Sequence, residues 1–599
     1  MSAMPPSLPA LLLEQAERRG DELALRHKRL GLWHETSWRE YAERTARAGL
    51  GLLELGVEAG DRVAVLSTNR PAWLYADLGA QGIGAITVGI YPTSPEAEVS
   101  YLLSHSRAKV LIAEDEEQLD KALAVRDQLP HLERIVVVDP RGTDATDDES
   151  VITFEALEQL GERREASEFS ERVSRLESNS TAIIVYTSGT TGPPKGAMLT
   201  HSNLIAAGAA LVEVYGIDSR DEVLSYLPLC HIAERLISVI DPVKAGSVVN
   251  FGEGIETFAE DLAEVQPTFF LGVPRVWEKV IAVVEIRMAD ASRLKRASYG
   301  LALRLGRWVA RRRVRGEFGP LTRLGHALAW ALAFGPLREK LGLRRVRVAL
   351  TGAAPIAPRV LESLWALGVP VREAYGQTEN TAMATFMPAD DVRLGTVGRA
   401  LPGVELRLAE DGEILTRSPG VFAGYFEDPE STAATIDADG WLHTGDIGER
   451  DGDGFLRITD RKKDIMITAG GKNVSPSEIE NRLKVSPFIR EAIVVGDQRR
   501  FLSALVGIEG DVVGDWAARQ GVPYTTYADL SANESVHKLV ASIVEEVNRD
   551  LAQVERIKRF ELLPVELDHE EGQLTATQKV KRAAIADQFS EVIEGMYRQ

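Results

Sequence analysis

Three threonines, a serine, three glycines and two prolines surround one charged residue, Lys195, in the run YTSGTTGPPKG at 186–196. Hydroxyls, glycine backbone N–H groups and a full positive charge in one short turn are the equipment for holding a phosphate. The apolar run AIIVYT at 182–187 predicts a strand before the turn, and SNLIAAGAALVEVYG at 202–216 predicts a helix after it. The expected order is therefore strand, glycine-rich turn, helix, with the helix N-terminus available to an anion. A flexible linker is not normally inserted at such a place. The turn does not match G-x-x-x-x-G-K-[ST], because Pro194 precedes and Gly196 follows Lys195, and it does not match G-x-G-x-x-G. A phosphate loop of a third kind is required.

The elements that must position this turn are legible as short β-branched runs at 62–67, 85–90, 108–113, 134–139, 182–187 and 346–350, separated by helical patterns such as 38–56. Strand and helix in alternation predict α/β layers with largely parallel sheets. VELRLAEDGEILTR at 404–417 alternates around an Asp-Gly turn and predicts a hairpin. Near residue 460 the texture changes again. Ser475 and Glu478 have capping-box spacing with Pro476 at the first helical position, and EAIVVGD and SALVGIEG predict strands of a smaller α/β unit. The expected division is a large N-terminal domain of several layered sheets over 1–460 and a small C-terminal α/β domain over 461–599. The acidic stretch at 143–150 is the only low-complexity segment and reads as a loop.

Six further runs occur in order: LPLCHIAER (227–235), TGAAP (351–355), AYGQTEN (374–380), WLHTGD (441–446), DRKKDIMITAGGKNVSPSEIE (460–480) and TATQKVKR (575–582). Together with the phosphate turn, these resemble the signature motifs of the adenylate-forming superfamily, which includes acyl- and aryl-CoA synthetases, luciferase and peptide-synthetase adenylation domains. VPRVWEK at 273–279, LPLCHIAER and the long basic segment are most similar to the long-chain fatty acyl-CoA synthetase branch. The first 180 residues carry no sharp motif.

The resemblance implies a two-step reaction: a carboxylate attacks the α-phosphate of ATP to give an acyl-adenylate and pyrophosphate, and the acyl group then passes to the thiol of coenzyme A. Two unit charges 4 Å apart repel by roughly 4 kcal/mol at an effective dielectric of about 20, so cations must gather on the nucleotide. It implies that Thr187, Ser188, Gly189, Thr190, Thr191, Gly192 and Lys195 wrap the β- and γ-phosphates. Glu379 would hold Mg²⁺ with help from Thr187, an arrangement usual for a cation that takes the rest of its shell from phosphates and water. Thr378 would donate to the α-phosphate. Gly352, Ala353, Ala354, Tyr375 and Gly376 would enclose adenine, while Asp446 and Arg461 would bind the ribose hydroxyls.

Lys579 would reach the carboxylate and α-phosphate from the small domain, although Gln578 stands where the family most often has glycine. Rotation about Lys463 would then withdraw Lys579 and bring the loop containing Gly470, Gly471 and Lys472 toward coenzyme A. Asp464 would tie the hinge to its own domain. His231 would stand at the junction of acyl pocket and thiol tunnel, as a gate rather than a general base. Glu234 and Arg235 would pair to support that turn. Cys230 needs no nucleophilic role, because coenzyme A brings the thiol. Two alternatives stand beside this reading: a fatty acyl-AMP ligase that delivers to a carrier protein, and a non-catalytic nucleotide- or lipid-binding sensor.

Composition narrows the classes. A net charge of −20 argues against a general nucleic-acid binder, and a single cysteine, Cys230, excludes an intrachain disulfide or a cysteine metal cluster. No run approaches the roughly 20 apolar residues of a membrane span, and the first residues lack the basic start of a secretory signal, so a cytoplasmic enzyme is expected. Charge is uneven, however. From 281 to 315 ten Lys/Arg face two acids, and ALAWALAF follows at 327–334. This segment reads either as a solvated helix pair packed on the main body or as a basic amphipathic surface touching anionic lipid.

Overall fold

Runs of β-branched residues become strands buried on both faces. The computed structural model describes residues 7–143, 148–187, 193–317, 319–469, 472–568, 571–575 and 579–598. In it the strands Arg62–Leu66, Ile86–Ile90, Ala108–Ala113, Arg134–Val137 and Thr181–Thr187 occupy the expected apolar runs. Consecutive side chains such as Val63, Ala64, Val65 and Leu66 are all fully buried, as parallel strands covered by helices on both sides require. With Val151–Thr153 they form the parallel body of an eight-stranded sheet, which Lys195–Thr200 and Gly424–Tyr425 extend antiparallel. Helix Trp38–Glu54 starts at a capping box of Ser37 and Glu40, and it meets helix Pro71–Gly82 closely at two glycines. A Cβ on Gly49 would lie 2.6 Å from the carbonyl oxygen of Gly79.

A second sheet carries Phe269–Leu271, Val348–Thr351 and Val371–Tyr375 in parallel, so the segments that follow these three strands leave from one edge. Ligands bind at such carboxyl edges in open α/β sheets. The expected hairpin forms as Glu405–Leu408 and Glu413–Arg417, and it joins Leu442–Arg450 and Leu456–Arg461 in a four-stranded antiparallel sheet. Beyond it, Ile489–Val495, Leu502–Ile508 and Ile557–Leu562 make a three-stranded sheet with its own buried core. The molecule is thus of the α/β class.

Two local expectations change. KGAMLT at 195–200 is a strand paired to Thr181–Thr187, with Thr187 opposite Lys195, so the phosphate turn joins two strands of a hairpin. Helix His201–Tyr215 begins only after that second strand, at a Thr200–Asn203 capping box. Its N-terminus is therefore separated from the turn by the length of the strand Lys195–Thr200, so the expected anion could not be met by that helix end. Ser475 likewise makes no capping box with Glu478. Its hydroxyl donates to the Thr459 carbonyl at 2.9 Å and to Asp460 at 2.6 Å, and Ser477 donates to the same carboxylate from its N–H and hydroxyl at 3.3 and 2.8 Å. A charged acceptor outcompetes a hydroxyl at the helix start, and Glu478 pairs with Arg482 one turn on.

The basic segment folds as helices Pro274–Ala289, Arg293–Val314 and Pro320–Ala329, continued by Trp330–Phe334 and Gly335–Lys340. Helix Arg293–Val314 lies against helix Pro358–Ala366, with Gly306 at the closest approach. No described helix is long and apolar enough to cross a membrane.

Candidate active site

Two turns leaving the second sheet build one wall. After Val348–Thr351 come Gly352, Ala353 and Ala354, and a Cβ on Gly352 would stand 3.0 Å from the carbonyl oxygen of Ala374 on the neighbouring strand. Ala353 and Ala354 are exposed, and Ala353 has φ +65°. After Val371–Tyr375 the chain knots tightly. Gly376 packs where a Cβ would lie 2.1 Å from the Ala382 carbonyl carbon, and Thr381 and Ala382 both take positive φ, 56° and 58°. Non-glycine residues in that region cost on the order of 1 kcal/mol or more each, and such strain gathers at functional sites. Within the knot Thr378 is buried and Glu379 half-buried. The Glu379 carbonyl accepts from Phe422 N–H at 2.9 Å, and Thr381 Oγ1 donates to the Gly420 carbonyl at 2.6 Å.

Those last contacts bring in a residue not foreseen from sequence. Tyr425 follows Gly424, whose φ of +131° is open only to glycine. Its hydroxyl donates to Glu379 Oε1 at 2.8 Å, and its ring carries the Lys195 ammonium 5.4 Å from the centroid. Burial and the Glu379 carboxylate hold the phenol well above its usual range, so it stays a donor. Lys195 itself contacts Ser431 and lies 3.6 Å from Asp428. The anionic and cationic ends of the site thus meet across one tyrosine. Ser188, Gly189, Thr190, Thr191 and Gly192 lie outside the described residues, as do Gly470 and Gly471.

Asp446 and Arg461 face one another across the strands Leu442–Arg450 and Leu456–Arg461, with Nε 3.2 Å from Oδ1. The second carboxylate oxygen of Asp446 accepts from Tyr375 at 2.6 Å, which holds this buried acid in one orientation. Glu373 lies on the same face of its strand as Tyr375 and was also missed from sequence. Burial pushes its carboxyl up to about 8, partly offset by the N–H of Gly395.

Lys579 reaches this wall from the small unit. Thr575 and Lys579 exchange two hydrogen bonds, of 2.7 and 3.0 Å, while Gln578 lies outside the described residues. The side chain is exposed, with Arg461 and, from the large unit, Asp446 and Glu379 within electrostatic reach of it. That setting and Arg461 push its ammonium below the usual lysine range, while Asp446 and Glu379 hold it up. His231 lies within electrostatic reach of the same ammonium; burial first, and then Lys579, lower its pKa to about 4. Its Nδ1 accepts from Ala233 N–H at 3.2 Å, leaving Nε2 to carry the proton of a neutral ring. Cys230 beneath it is fully buried and its thiol is pushed up, the opposite of an activated nucleophile.

At the proposed hinge the partners change over. Lys462 is tied to the large unit through Gly445, Asp411 and Glu413. Lys463 is exposed, and Asp464 faces Arg582, which in turn binds Glu480. Lys472 is exposed in the turn beyond. Asp460 holds Ser475 and Ser477 across the junction, while Arg275 lies 3.5 and 3.6 Å from Glu491 and Glu509. Any rotation about Lys463 has to remake these contacts.

Glu234 and Arg235 do not pair with each other. Successive residues of the helix Ile232–Arg235 point to different sides, so each finds its own partner. Arg235 forms a buried pair with Asp77 at 2.9 Å and lies over the ring of Trp73, whereas Glu234 accepts from Ser225 and Ser238. Burial raises the Glu234 carboxyl from 4.5 to about 7. Between those values the unfolded chain is ionised and the folded chain still carries the proton. Stability is therefore lost as pH rises from about 5 to 7, by on the order of 3 kcal/mol. Glu234→Gln keeps the acceptor and removes the titration, so its Tm relative to the parent is expected to rise across that window. Parallel Tm curves for the two proteins from pH 5 to 8 would exclude Glu234 as the titrating group.

The sequence model described as AMP-binding enzyme matches residues 12–426, and that described as AMP-binding enzyme C-terminal domain matches 463–599. The chain belongs to the AMP-binding enzyme family. It is an AMP-forming ligase of the acid–thiol class. It is 35 % identical over 572 residues to the long-chain-fatty-acid–CoA ligase FadD15 of Mycobacterium bovis, covering 95 % of this chain and 93 % of the relative. It is 32 % identical to the long-chain-fatty-acid–CoA ligase ACSBG2 of Xenopus laevis, covering 100 % and 85 %. Among solved structures, the adenylation–carrier didomain of carboxylic acid reductase from Segniliparus rugosus with AMP superposes at a TM-score of 0.77 and 20 % identity, covering 100 % and 83 %. That likeness concerns the fold.

Proposed function

We propose that this AMP-binding enzyme is an ATP- and Mg²⁺-dependent long-chain fatty acid–CoA ligase, built from a body of residues 1–460 and a rotating unit of residues 461–599. The observation that supports the reading is that Glu379, Asp446, Arg461 and His231 all lie within electrostatic reach of Lys579, which comes from the small unit. The names of the relatives supply the acid and the thiol.

The donor set fits the nucleotide. Asp446, fixed by Tyr375 and Arg461, offers a carboxylate to ribose hydroxyls, and the exposed Ala353 and Ala354 would line the base, with Gly352 and Gly376 allowing the close backbone packing of the two turns behind them. A lone Glu379 carboxylate, its Oε1 engaged by Tyr425, would suit Mg²⁺, a hard cation that takes the rest of its shell from phosphate oxygens and water, with Thr187 as its expected helper. Bound there, the metal would neutralise charge on the phosphates. Lys195 and the turn at 188–192 would hold the β- and γ-phosphates, Thr378 would donate to the α-phosphate, and Lys579 would neutralise the charge shared by carboxylate and α-phosphate during attack. The small unit would then turn about Lys463, withdraw Lys579 and present the loop with Gly470, Gly471 and Lys472 to coenzyme A. His231, neutral and donating through Nε2, would orient the acyl carbonyl at the pocket mouth. Peripheral contact with anionic lipid through 281–334 belongs to the same reading.

The test is release of pyrophosphate and AMP with Mg-ATP and acids from short to very long, with and without coenzyme A. Turnover that needs coenzyme A and is greatest with long acids is expected. One burst of pyrophosphate indifferent to coenzyme A would mean a carrier-protein acceptor, and nucleotide binding without turnover would mean a sensor.

A further inference from the structure

Helix Pro320–Ala329 is packed inside out. It buries the small residues Thr322, Gly325 and Ala329 and exposes Leu321, Leu324 and Leu328, which are 71, 58 and 48 % open to solvent. Leu332, in the continuation of the same helix, is exposed as well. Spacings of three, four and four place these leucines on one stripe. The small residues face inward because the neighbouring helix comes very close: a Cβ on Gly325 would lie 2.7 Å from the ring of Trp308. Helix Arg293–Val314 adds Leu294, Leu301 and Trp308, each seven residues from the last and each exposed. Single exposed leucines are ordinary on a protein surface, but an ordered stripe shared by two packed helices marks a contact site.

The charge around that stripe says what it contacts. From 293 to 329 there are ten Lys/Arg and one acid, Glu317, in a chain whose net charge is −20. Arg304, Arg307, Arg311 and Arg312 are exposed on the same helix as Leu301 and Trp308. A second copy of the chain would bring the same cations against these, which like-charge repulsion opposes. A nucleic acid would match the charge and leave the leucines in water. An anionic bilayer surface satisfies both, with apolar side chains at the acyl boundary and arginines among the headgroups.

We propose that the helix pair Arg293–Val314 and Pro320–Ala329 is an interfacial anchor that seats the protein, lying flat, on anionic lipid. The proposal rests on the lipid-contact part of the function proposed above and not on its ligase chemistry. It has an orientational consequence. The rest of the chain carries a large net negative charge, so the field of the protein favours approach to lipid by this face. An acid dissolved in the bilayer would then be met from one fixed side.

The test is cosedimentation with phosphatidylcholine vesicles, with and without phosphatidylglycerol, at low and high salt. The parent protein is compared with Leu324→Ser/Leu328→Ser and with Arg304→Glu/Arg307→Glu/Arg311→Glu. Binding that needs phosphatidylglycerol is expected, weakened at least about tenfold by either set and by salt for the arginines. Pyrophosphate release with a short, water-soluble acid is expected to stay within about twofold in both variants, which shows that they are folded and keeps this test separate from that of the ligase reading. A parent that ignores anionic vesicles overturns the anchor. So does a parent that sediments no differently from the two variants. A dimer on sizing that the leucine variant dissociates would assign the stripe to a second copy instead, and binding to polyanionic nucleic acid that survives loss of the leucines would assign the basic face there.

Discussion

Lys579→Ala is expected to slow pyrophosphate release from acid and ATP by about 100- to 1,000-fold, the usual loss when one preorganised charge is removed from a transition state. Thioester formation from supplied acyl-adenylate and coenzyme A should stay within about threefold, because in the proposed second conformation the lysine has left the cleft. The geometry explains the asymmetry. Lys579 sits on the small unit, while Glu379 and Asp446, which hold its charge, sit on the large one. In the proposed mechanism only the closed arrangement assembles the three. Equal loss in both half-reactions would sink the two-conformation account.

The same lysine sets an alkaline limit. Its pKa is lowered by its setting and by Arg461, so the ammonium is lost at a pH below the usual lysine value of 10.5. In the proposed mechanism adenylation needs the protonated form, so it should fall on the alkaline side earlier than an unperturbed lysine would allow. Lys579→Arg, which keeps its proton throughout, should remove that limb while lowering the rate. On the acid side His231 contributes no step near pH 6.5, because its pKa lies near 4.

How far sequence carries is clearest at the phosphate turn. Its residue types raise the expectation of an anion site without any fold, since hydroxyls, glycines and one lysine have few other reasons to be together. Its setting was misread because KGAMLT at 195–200 is six residues long and bears no β-branched side chain except Thr200. What makes it a strand is pairing with Thr181–Thr187, a tertiary contact that local propensity does not encode. The strands Arg62–Leu66 and Ala108–Ala113 were legible for the opposite reason: they are apolar on both faces, and only a covered parallel sheet accommodates that. Arg235 illustrates a third case. Its neighbour Glu234 is the obvious partner in sequence, yet the partner found is Asp77 on the helix Pro71–Gly82, 158 residues away. Charge pairing in a core follows which faces the helices turn to one another.

Tyr425 was illegible for a related reason, and it bears on the second large effect. Glu379→Gln is expected to lower adenylation by about 100- to 1,000-fold and to raise the Mg²⁺ concentration needed for half-maximal rate, since an amide oxygen is a much weaker ligand for a hard cation than a carboxylate. Tyr425→Phe offers the sharper comparison. Its hydroxyl engages Glu379 Oε1 at 2.8 Å, which would leave Oε2 for the proposed metal in one orientation. Without it the carboxylate must be ordered by the metal itself, and a several-fold rise in half-saturating Mg²⁺ is expected, with the rate at saturating Mg²⁺ largely restored. The ring, and with it the seat of Lys195 at 5.4 Å, is kept in phenylalanine. Tyr425→Leu removes that seat as well, and its loss should therefore persist at saturating Mg²⁺ and appear as a higher KM for ATP. A Glu379→Gln enzyme whose Mg²⁺ dependence matches the parent would show that the carboxylate serves the tyrosine and the loop rather than the metal. In that event the phosphate charges would have to be met by Lys195 and the hydroxyls of the turn alone.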